Sequence, residues 1–432
     1  MWVRFAVVLV LAGLLAGCGD DGTVPVTTTT VATPTATAAI PGSGLAWARV
    51  PDDEVVFGGL GDQVIWSVTA GGPGLVAAGH SGPGATSGEN WGAVVWVSAD
   101  GYTWTRIDDE AVFGGPGHPS ISSVTAEGPG LVAVGWDGSA GQARPGGGSD
   151  GAVWVSADGY TWTRIPHDEA VFGGLGDQIP LSVTAGGPGL VAAGWERTVV
   201  IDIEPDVEPE SDAAVWVSAD AYTWTRIDDE AVFGGPGDQQ VNSVTAGGPG
   251  LVAAGWNRLD EDTDGLVWVS ADGYSWTRID DEAIFGGPGG QLIWSVTAGG
   301  PGLVAAGYDT SGDDWDAAVW VSADGYVWTR VPHDEAVFGG PGNQVIRSVT
   351  AGGPGLVAAG RSGPGGATDV AAVWVSADGY SWTRIDDEAV FGGPGGQGIW
   401  SVTAGGPGLV AAGEATSGED SHAVVWVSPP PG

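Results

Sequence analysis

Two sets of side chains in this sequence are spaced so that they could do chemistry: acidic pairs that recur, and arginines and aromatics that occur singly. The phrase DEAVFGG or a near variant starts at Asp53, Asp109, Asp168, Asp229, Asp281, Asp334 and Asp387. Each copy carries adjacent carboxylates, the groups that flank a glycosidic bond in most glycoside hydrolases. One reaction centre needs one such pair, so seven pairs point to a structural unit instead. The phrase reads as a capped helical turn, with acids at its N-terminus, Phe packed inward and Gly at its end. A second recurrent acid stands in WVSADGYTWTRI and its variants, at Asp100, Asp158, Asp220, Asp272, Asp324 and Asp378. There a short acidic side chain is expected to accept backbone N–H groups of its own turn.

Other candidates are not repeated. Asp260-x-Asp262-x-Asp264-Gly265 sets oxygen ligands at alternate positions, like the start of a calcium loop. Trp268 and Ala271 stand where a further carboxylate is wanted, and Ca²⁺ is the only cofactor the sequence suggests. The five histidines, at 80, 118, 167, 333 and 422, make no metal-ligand spacing. No phosphate loop, Ser/His/Asp order or reactive cysteine is visible, so catalysis is not expected.

The elements that must position these groups follow from a long repeat. SVTAGGPGLVAAG or a near variant starts at Ser67, Ser123, Ser182, Ser243, Ser295, Ser348 and Ser401, with spacings of 56, 59, 61, 52, 53 and 53 residues. Each unit reads as four short strands. Ser-Val-Thr-Ala and Leu-Val-Ala-Ala flank a Gly-Gly-Pro-Gly turn. Ala-Val-Trp-Val-Ser and Tyr-Thr-Trp-Thr-Arg-Ile flank Ala-Asp-Gly. One such sheet cannot bury both of its faces, whereas radial stacking of several can. The folded part opens on a fourth strand without a third, Leu45–Val50, and closes on a third strand without a fourth, Ala423–Ser428. Together they complete a blade. The expected fold is all-β: a seven-bladed β-propeller of four-stranded antiparallel blades, the last closed by the N- and C-terminal strands.

The turn Ser98-Ala99-Asp100-Gly101-Tyr102-Thr103-Trp104 resembles the Asp-box, or BNR repeat, of sialidases and related β-propellers, one residue short between Asp and Gly. The resemblance implies that the repeated Asp residues are structural and lie on the face opposite an active site. It also raises the alternative of a sialidase-like exo-glycoside hydrolase, for which Arg258, Arg347, Arg361, Tyr308 and Glu414 would be the single-copy candidates. The Phe-Arg-Ile-Pro signature of that family is absent, and its catalytic propeller has six blades rather than seven.

Function is expected where nearly identical copies diverge. The residue before Ser-Val-Thr is Trp66, Ser122, Leu181, Asn242, Trp294, Arg347 and Trp400 in turn. The residue after Val-Ala-Ala-Gly or its variant is His80, Trp136, Trp195, Trp256, Tyr308, Arg361 and Glu414. Both rows should ring one face of the disc around the central channel. Trp66, Trp136, Trp195, Trp256, Trp294, Tyr308, Arg347, Arg361 and Trp400 are therefore the candidate ligand-binding residues, suited to stacking on sugars or packing on a protein.

The bulk composition limits the partners. Asp+Glu number 53 against 13 Lys+Arg, a net charge of -40, which repels nucleic acid and anionic lipid. Met1–Arg4 and the apolar stretch Phe5–Ala16 read as a signal peptide. Leu15-Ala16-Gly17-Cys18 resembles the bacterial lipobox, implying lipidation of Cys18. The expected organisation is residues 1–18 as a lipoprotein signal, 19–44 as a Thr/Pro/Ala-rich flexible tether and 45–432 as the propeller. The protein is expected to be monomeric, extracytoplasmic and anchored by lipid to a bacterial cell membrane, with a glycan or an envelope protein as ligand.

Overall fold

The computed structural model describes residues 45–82, 91–115, 117–128, 130–138, 148–198, 210–260, 262–365, 368–418 and 420–430, with the short segments 27–28 and 37–39. The segment read as a signal peptide, with Cys18, lies outside the described residues. The strands form seven antiparallel sheets with four repeat strands each, one sheet per repeat. The first strands of blades 1 to 7 are Asp62–Gly71, Ser120–Thr125, Gly176–Gly186, Asp238–Gly247, Gln291–Gly299, Asn343–Gly352 and Gln397–Gly405. They pack side by side around the whole circle, blade 7 against blade 1. Thr27–Thr28 and Thr37–Ala39, in the segment read as a tether, pair outside the fourth strands of blades 1 and 7.

Closure is as the termini imply. Ala46–Arg49 is the fourth strand of blade 7, pairing Ala48 with Val427 and Arg49 with Trp426 of the C-terminal strand Asp420–Ser428. Ser428 occupies the place of the Asp-box serine, and its hydroxyl accepts the Ala46 N–H at 3.2 Å. Trp47 beside it is fully buried and meets the Phe391 ring at 6.1 Å.

Three seven-fold devices hold the ring. A first strand is an edge, whose unpaired N–H groups need acceptors. The serine of each SVT phrase supplies one: Ser67 Oγ accepts from Val124 of the next blade, and so on round to Ser401 and Val68, all at 3.1–3.2 Å. At the rim, the buried Trp of every third strand donates its indole N–H to a carbonyl in the DEAVF turn of the preceding unit, from Trp96 with Val56 to Trp426 with Val390. The third device is hydrophobic: the Phe of each DEAVF turn is buried in the interblade core.

The DEAVF turn is largely as expected. Asp109 caps the short helix Glu110–Phe113 by accepting the Ala111 N–H, and Phe113 is buried. Its end is the expected glycine, but not a left-handed one: Gly114 is extended at φ -88, and a Cβ there would lie 2.6 Å from the Glu110 carbonyl oxygen. The glycine is needed for close approach rather than for handedness.

The repeated Asp residues between third and fourth strands are turn acceptors. Asp100 Oδ1 takes the N–H groups of Tyr102 and Thr103 at 2.8 and 2.7 Å. Those bonds hold Tyr102 and Thr103 in the turn, so the fourth strand starts later than its sequence suggests, at Thr105. The N–H of Thr161 and then that of Tyr160 hold the Asp158 carboxyl below its usual range, against burial. At the divergent copy, Ala221 adopts φ 68 and its methyl is fully buried.

Candidate functional site: an aromatic cavity at the channel mouth

The site is built by a backbone irregularity that recurs in every blade. Pairing of the first and second strands slips by one residue at Trp66, Ser122, Leu181, Asn242, Trp294, Arg347 and Trp400. A β-bulge leaves one residue out of the ladder and re-aims its side chain. The glycine ending Val-Ala-Ala-Gly permits it: a Cβ on Gly79, Gly135, Gly194, Gly255, Gly307, Gly360 or Gly413 would stand 1.8–2.0 Å from a carbonyl oxygen of the bulged strand. Seven conserved backbone kinks thus carry seven different side chains to one place.

All seven line a cavity of about 510 Å³, together with His80, Trp91, Ser120 and Trp136. It lies at the end of the disc where second strands finish and third strands begin, opposite the Asp-box turns. Its wall is uneven. The small and polar residues Ser120, Ser122 and Asn242 occupy blades 2 and 4. Asn242 is fixed, donating to the Ile293 carbonyl at 2.7 Å and accepting from Gln240 at 2.6 Å.

The other side is a continuous aromatic arc. The Arg347 guanidinium lies between two indoles, 4.0 Å from the Trp294 ring centroid and 4.6 Å from that of Trp400. Trp400 meets Trp66 edge-on at 4.7 Å, and the Trp66 indole donates to His80 Nδ1 at 3.0 Å. His80 then stacks on Trp91 at 4.7 Å. Burial pushes the His80 pKa down to about 4, so the imidazole is neutral at pH 7.

Arg347 is the electrostatic centre of this arc. Among the described arginines it alone forms no ion pair; Arg49, Arg106, Arg164, Arg197, Arg226, Arg258, Arg278, Arg330, Arg361 and Arg384 each meet a carboxylate. Its Nε and the Nε1 of Trp294 are buried with no hydrogen-bond partner among the described residues. Burial, and then the nearby Arg361, bring its pKa down to about 10, which leaves it charged at neutral pH. No described residue lining the cavity is acidic.

The sequence candidates divide accordingly. Trp66, Trp136, Trp294, Arg347 and Trp400 line the cavity, whereas Trp195, Trp256, Tyr308 and Arg361 do not. Arg197 and Arg258 cover the Trp195 and Trp256 rings at 5.7 and 5.6 Å. Tyr308 stacks on Trp315 at 4.8 Å, and Arg361 faces Asp369 at 3.5 Å. Of the hydrolase candidates, Arg347 and Arg361 each feel Tyr308 and Glu414 electrostatically, while Arg258 is bound to Asp238. Burial raises the Glu414 carboxyl above its usual range, against the Trp400 and Ser421 side chains and Arg361.

Trp91 was not among the sequence candidates. It stands five residues before the third-strand Trp96, a place where only Trp315 is also aromatic, and each stacks on the cross-strand residue of the second variable row, His80 or Tyr308. That pairing was a readable signal. Asp260, Asp262 and Asp264 fall on the hairpin between strands Gly250–Leu259 and Asp262–Ser270, with Asp260 at φ 56. They do not form one of the two three-residue groups whose ligand atoms converge within 4.8 Å.

No protein-family model matches the chain, and no curated protein matches it. Solved structures that resemble it are sialidase-like and other β-propellers. Trypanosoma rangeli sialidase is 13% identical with a TM-score of 0.43, over 71% of this chain and 54% of that one. A candidate glycoside hydrolase from Parabacteroides distasonis is 12% identical, covering 56% of this chain and 85% of that one, with a TM-score of 0.30. Sqt1 from Chaetomium thermophilum is 12% identical, covering 88% of this chain and 99% of that one, with a TM-score of 0.40. The chain thus spans about half the length of the trypanosome sialidase. Identities and scores this low say nothing about ligand or reaction.

Proposed function

We propose that the protein is a binding module whose ligand is a glycan bearing an acidic group, held in the channel-mouth cavity. The observation that carries this reading is Arg347, a cation without an ion pair, set between Trp294 and Trp400. Indole faces suit the apolar C–H faces of sugars, because they offer a large flat apolar area with a polar N–H at one end. A guanidinium with an unpartnered N–H suits a carboxylate or sulfate. The runner-up is a sialidase-like exo-glycoside hydrolase, favoured by the grouping of Tyr308 with Glu414, Arg347 and Arg361. Against it stands the absence of any acid among the described lining residues, since hydrolysis requires a carboxylate beside the scissile bond.

In this reading the propeller is displayed outside a bacterial membrane, carried by lipid on Cys18 and a Thr/Pro-rich tether, and works as a monomer. Metabolic labelling with an alkyne fatty acid, lost in Cys18→Ser, tests the anchor.

The ligand is tested by titrating acidic and neutral oligosaccharides into the protein while following tryptophan fluorescence. Acidic glycans should quench it, and Arg347→Ala and Trp294→Ala should each weaken binding about tenfold or more. Turnover of a fluorogenic sialoside that is lost in Tyr308→Phe would replace this reading with the hydrolase. Capture of an envelope protein that competes for the cavity, with no glycan bound, would overturn the glycan assignment.

A further inference from the structure

Two of the seven DEAVF turns are preceded by histidine where the other five have aspartate: His167 and His333, against Asp52, Asp108, Asp228, Asp280 and Asp386. Both histidines face the same partners. In blade 2, His167 Nε2 lies 3.2 Å from Glu169 Oε2 and 3.6 Å from Asp150 Oδ2. In blade 5, His333 Nε2 lies 3.3 Å from Glu335 Oε2 and 3.9 Å from Asp316 Oδ2. In each trio one nitrogen and two carboxylate oxygens converge within 4.8 Å of one another. We propose that these are two equivalent sites for a divalent transition metal of the zinc class, one on the rim of blade 2 and one on the rim of blade 5.

The geometry favours a shared cation over hydrogen bonding alone. A single ring N–H can point at one oxygen, and 3.6 and 3.9 Å exceed a hydrogen bond. Ligands about 2.0–2.2 Å from one metal in tetrahedral array stand about 3.3–3.5 Å apart, close to the separations seen. Neutral imidazole with two carboxylates also balances a divalent charge. The imidazole selects against calcium, whose ligands are oxygens. Because His167 is 31% and Glu169 61% exposed at the side chain, a fourth position stays open to water.

The equivalent places in other blades supply an internal contrast. In blade 3 both partners are acidic, Asp212 and Asp228 beside Glu230. There burial, then Glu230, Glu210 and Asp238, push Asp212 up to about 6, the mark of crowded carboxylates that a histidine in place of one acid would relieve. In blade 7 the types are exchanged, His422 on the strand and Asp52 on the turn, and both line one cavity of about 230 Å³ with Glu54. The position pairs a histidine with an aspartate whenever a histidine is present. The sequence spacing hides the blade 2 and blade 5 trios because the third ligand comes from a strand two elements earlier.

The test is calorimetric titration of the full chain, stripped of metal, with Zn²⁺ at pH 7. Two equivalents should bind. His167→Gln and His333→Gln should each remove one, and the double variant both, without altering the melting curve of the metal-free protein. Co²⁺ should compete and show the intense visible bands of low-coordinate sites, while Ca²⁺ should not compete. Failure of Zn²⁺ to bind, or an unchanged stoichiometry in the double variant, would overturn the proposal and leave each trio a set of polar contacts between a histidine and two carboxylates. Neither result bears on glycan binding at the channel mouth.

Discussion

The guanidinium carbon of Arg347 lies 4.0 Å from the ring centroid of Trp294, and no described carboxylate pairs with it. In a chain with 53 acidic residues, leaving one partly buried cation unpaired costs stability that pairing would recover. Removing that charge should therefore be tolerated by the fold but not by the site. Arg347→Met is expected to leave the thermal midpoint unchanged or raise it, while abolishing glycan-dependent quenching. A fall of more than about 3 °C would show that the arginine is structural, and would count against its role in binding.

His80 gives the site a pH dependence with a definite sign. Its folded pKa of about 4, set by burial, lies below the ordinary histidine value of 6.5, so between those pH values the unfolded chain binds more protons than the folded one. Stability should be fully present above about pH 6.5 and decline as pH falls toward 4, by on the order of 3 kcal/mol in all. His80→Gln should flatten this part of the profile. Equal slopes for both proteins between pH 6.5 and 4, measured by denaturant unfolding, would refute the assignment.

Blade 7 depends on its borrowed strand. Deleting Ser421–Gly432 should open the ring and lower the thermal midpoint sharply, and Trp47→Ala should cost about 3–5 kcal/mol as a large-to-small change at a fully buried site. An unchanged melting curve for the deletion would mean that the pairing of Ala48 with Val427 contributes nothing to closure.

The Ala-Asp-Gly turns pack blade against blade, which makes their glycines sensitive to substitution. A Cβ on Gly159 would stand 2.9 Å from the Pro73 ring of the preceding blade, at φ 82. Gly159→Ala should destabilise by about 1–2 kcal/mol from handedness alone, plus whatever the proline must move. Ala221 already meets that cost at φ 68, so Ala221→Gly should be far milder. Thermal melts in which the two variants shift the midpoint equally would contradict this.

Acid sensitivity should also come from the turns. Hydrogen bonds from Thr161 and Tyr160 keep the Asp158 carboxyl below its usual value, so its contribution is present above the ordinary carboxylate range and lost as pH falls through the depressed value. Asp158→Asn should lower the melting temperature at pH 7 and leave less to lose on acidification below about pH 4. A variant that melts like the parent at both pH values would exclude a role for this charge.

How much of this was legible in the sequence depends on what repeats. The blades, their number and the split seventh blade are written in phrases copied seven times, because every copy faces the same neighbours. The variable row from Trp66 to Trp400 was legible for the same reason reversed: a fixed bulge presents whatever residue it holds. The second row was legible as a row but not by role. Trp136 and His80 line the cavity, while Trp195, Trp256, Tyr308 and Arg361 are engaged by Arg197, Arg258, Trp315 and Asp369, at positions whose residue type changes from copy to copy. Likewise, a trio such as Asp150, His167 and Glu169 joins a strand to a turn across a hairpin, a pairing that linear spacing does not display.

Ser428 and Ala46 are joined across 382 positions of chain, and that separation sets an order of events during synthesis. Ala46–Arg49 leaves the ribosome long before Asp420–Ser428 exists. At about 5–20 residues per second it is without that partner for roughly 20–75 seconds. Six blades can be complete by then, each with its own four strands, while the seventh waits for its partner. The ring stays an open spiral until Asp420–Ser428 is there to pair with Ala46–Arg49, so closure waits on the strand that is made latest of the four in that blade.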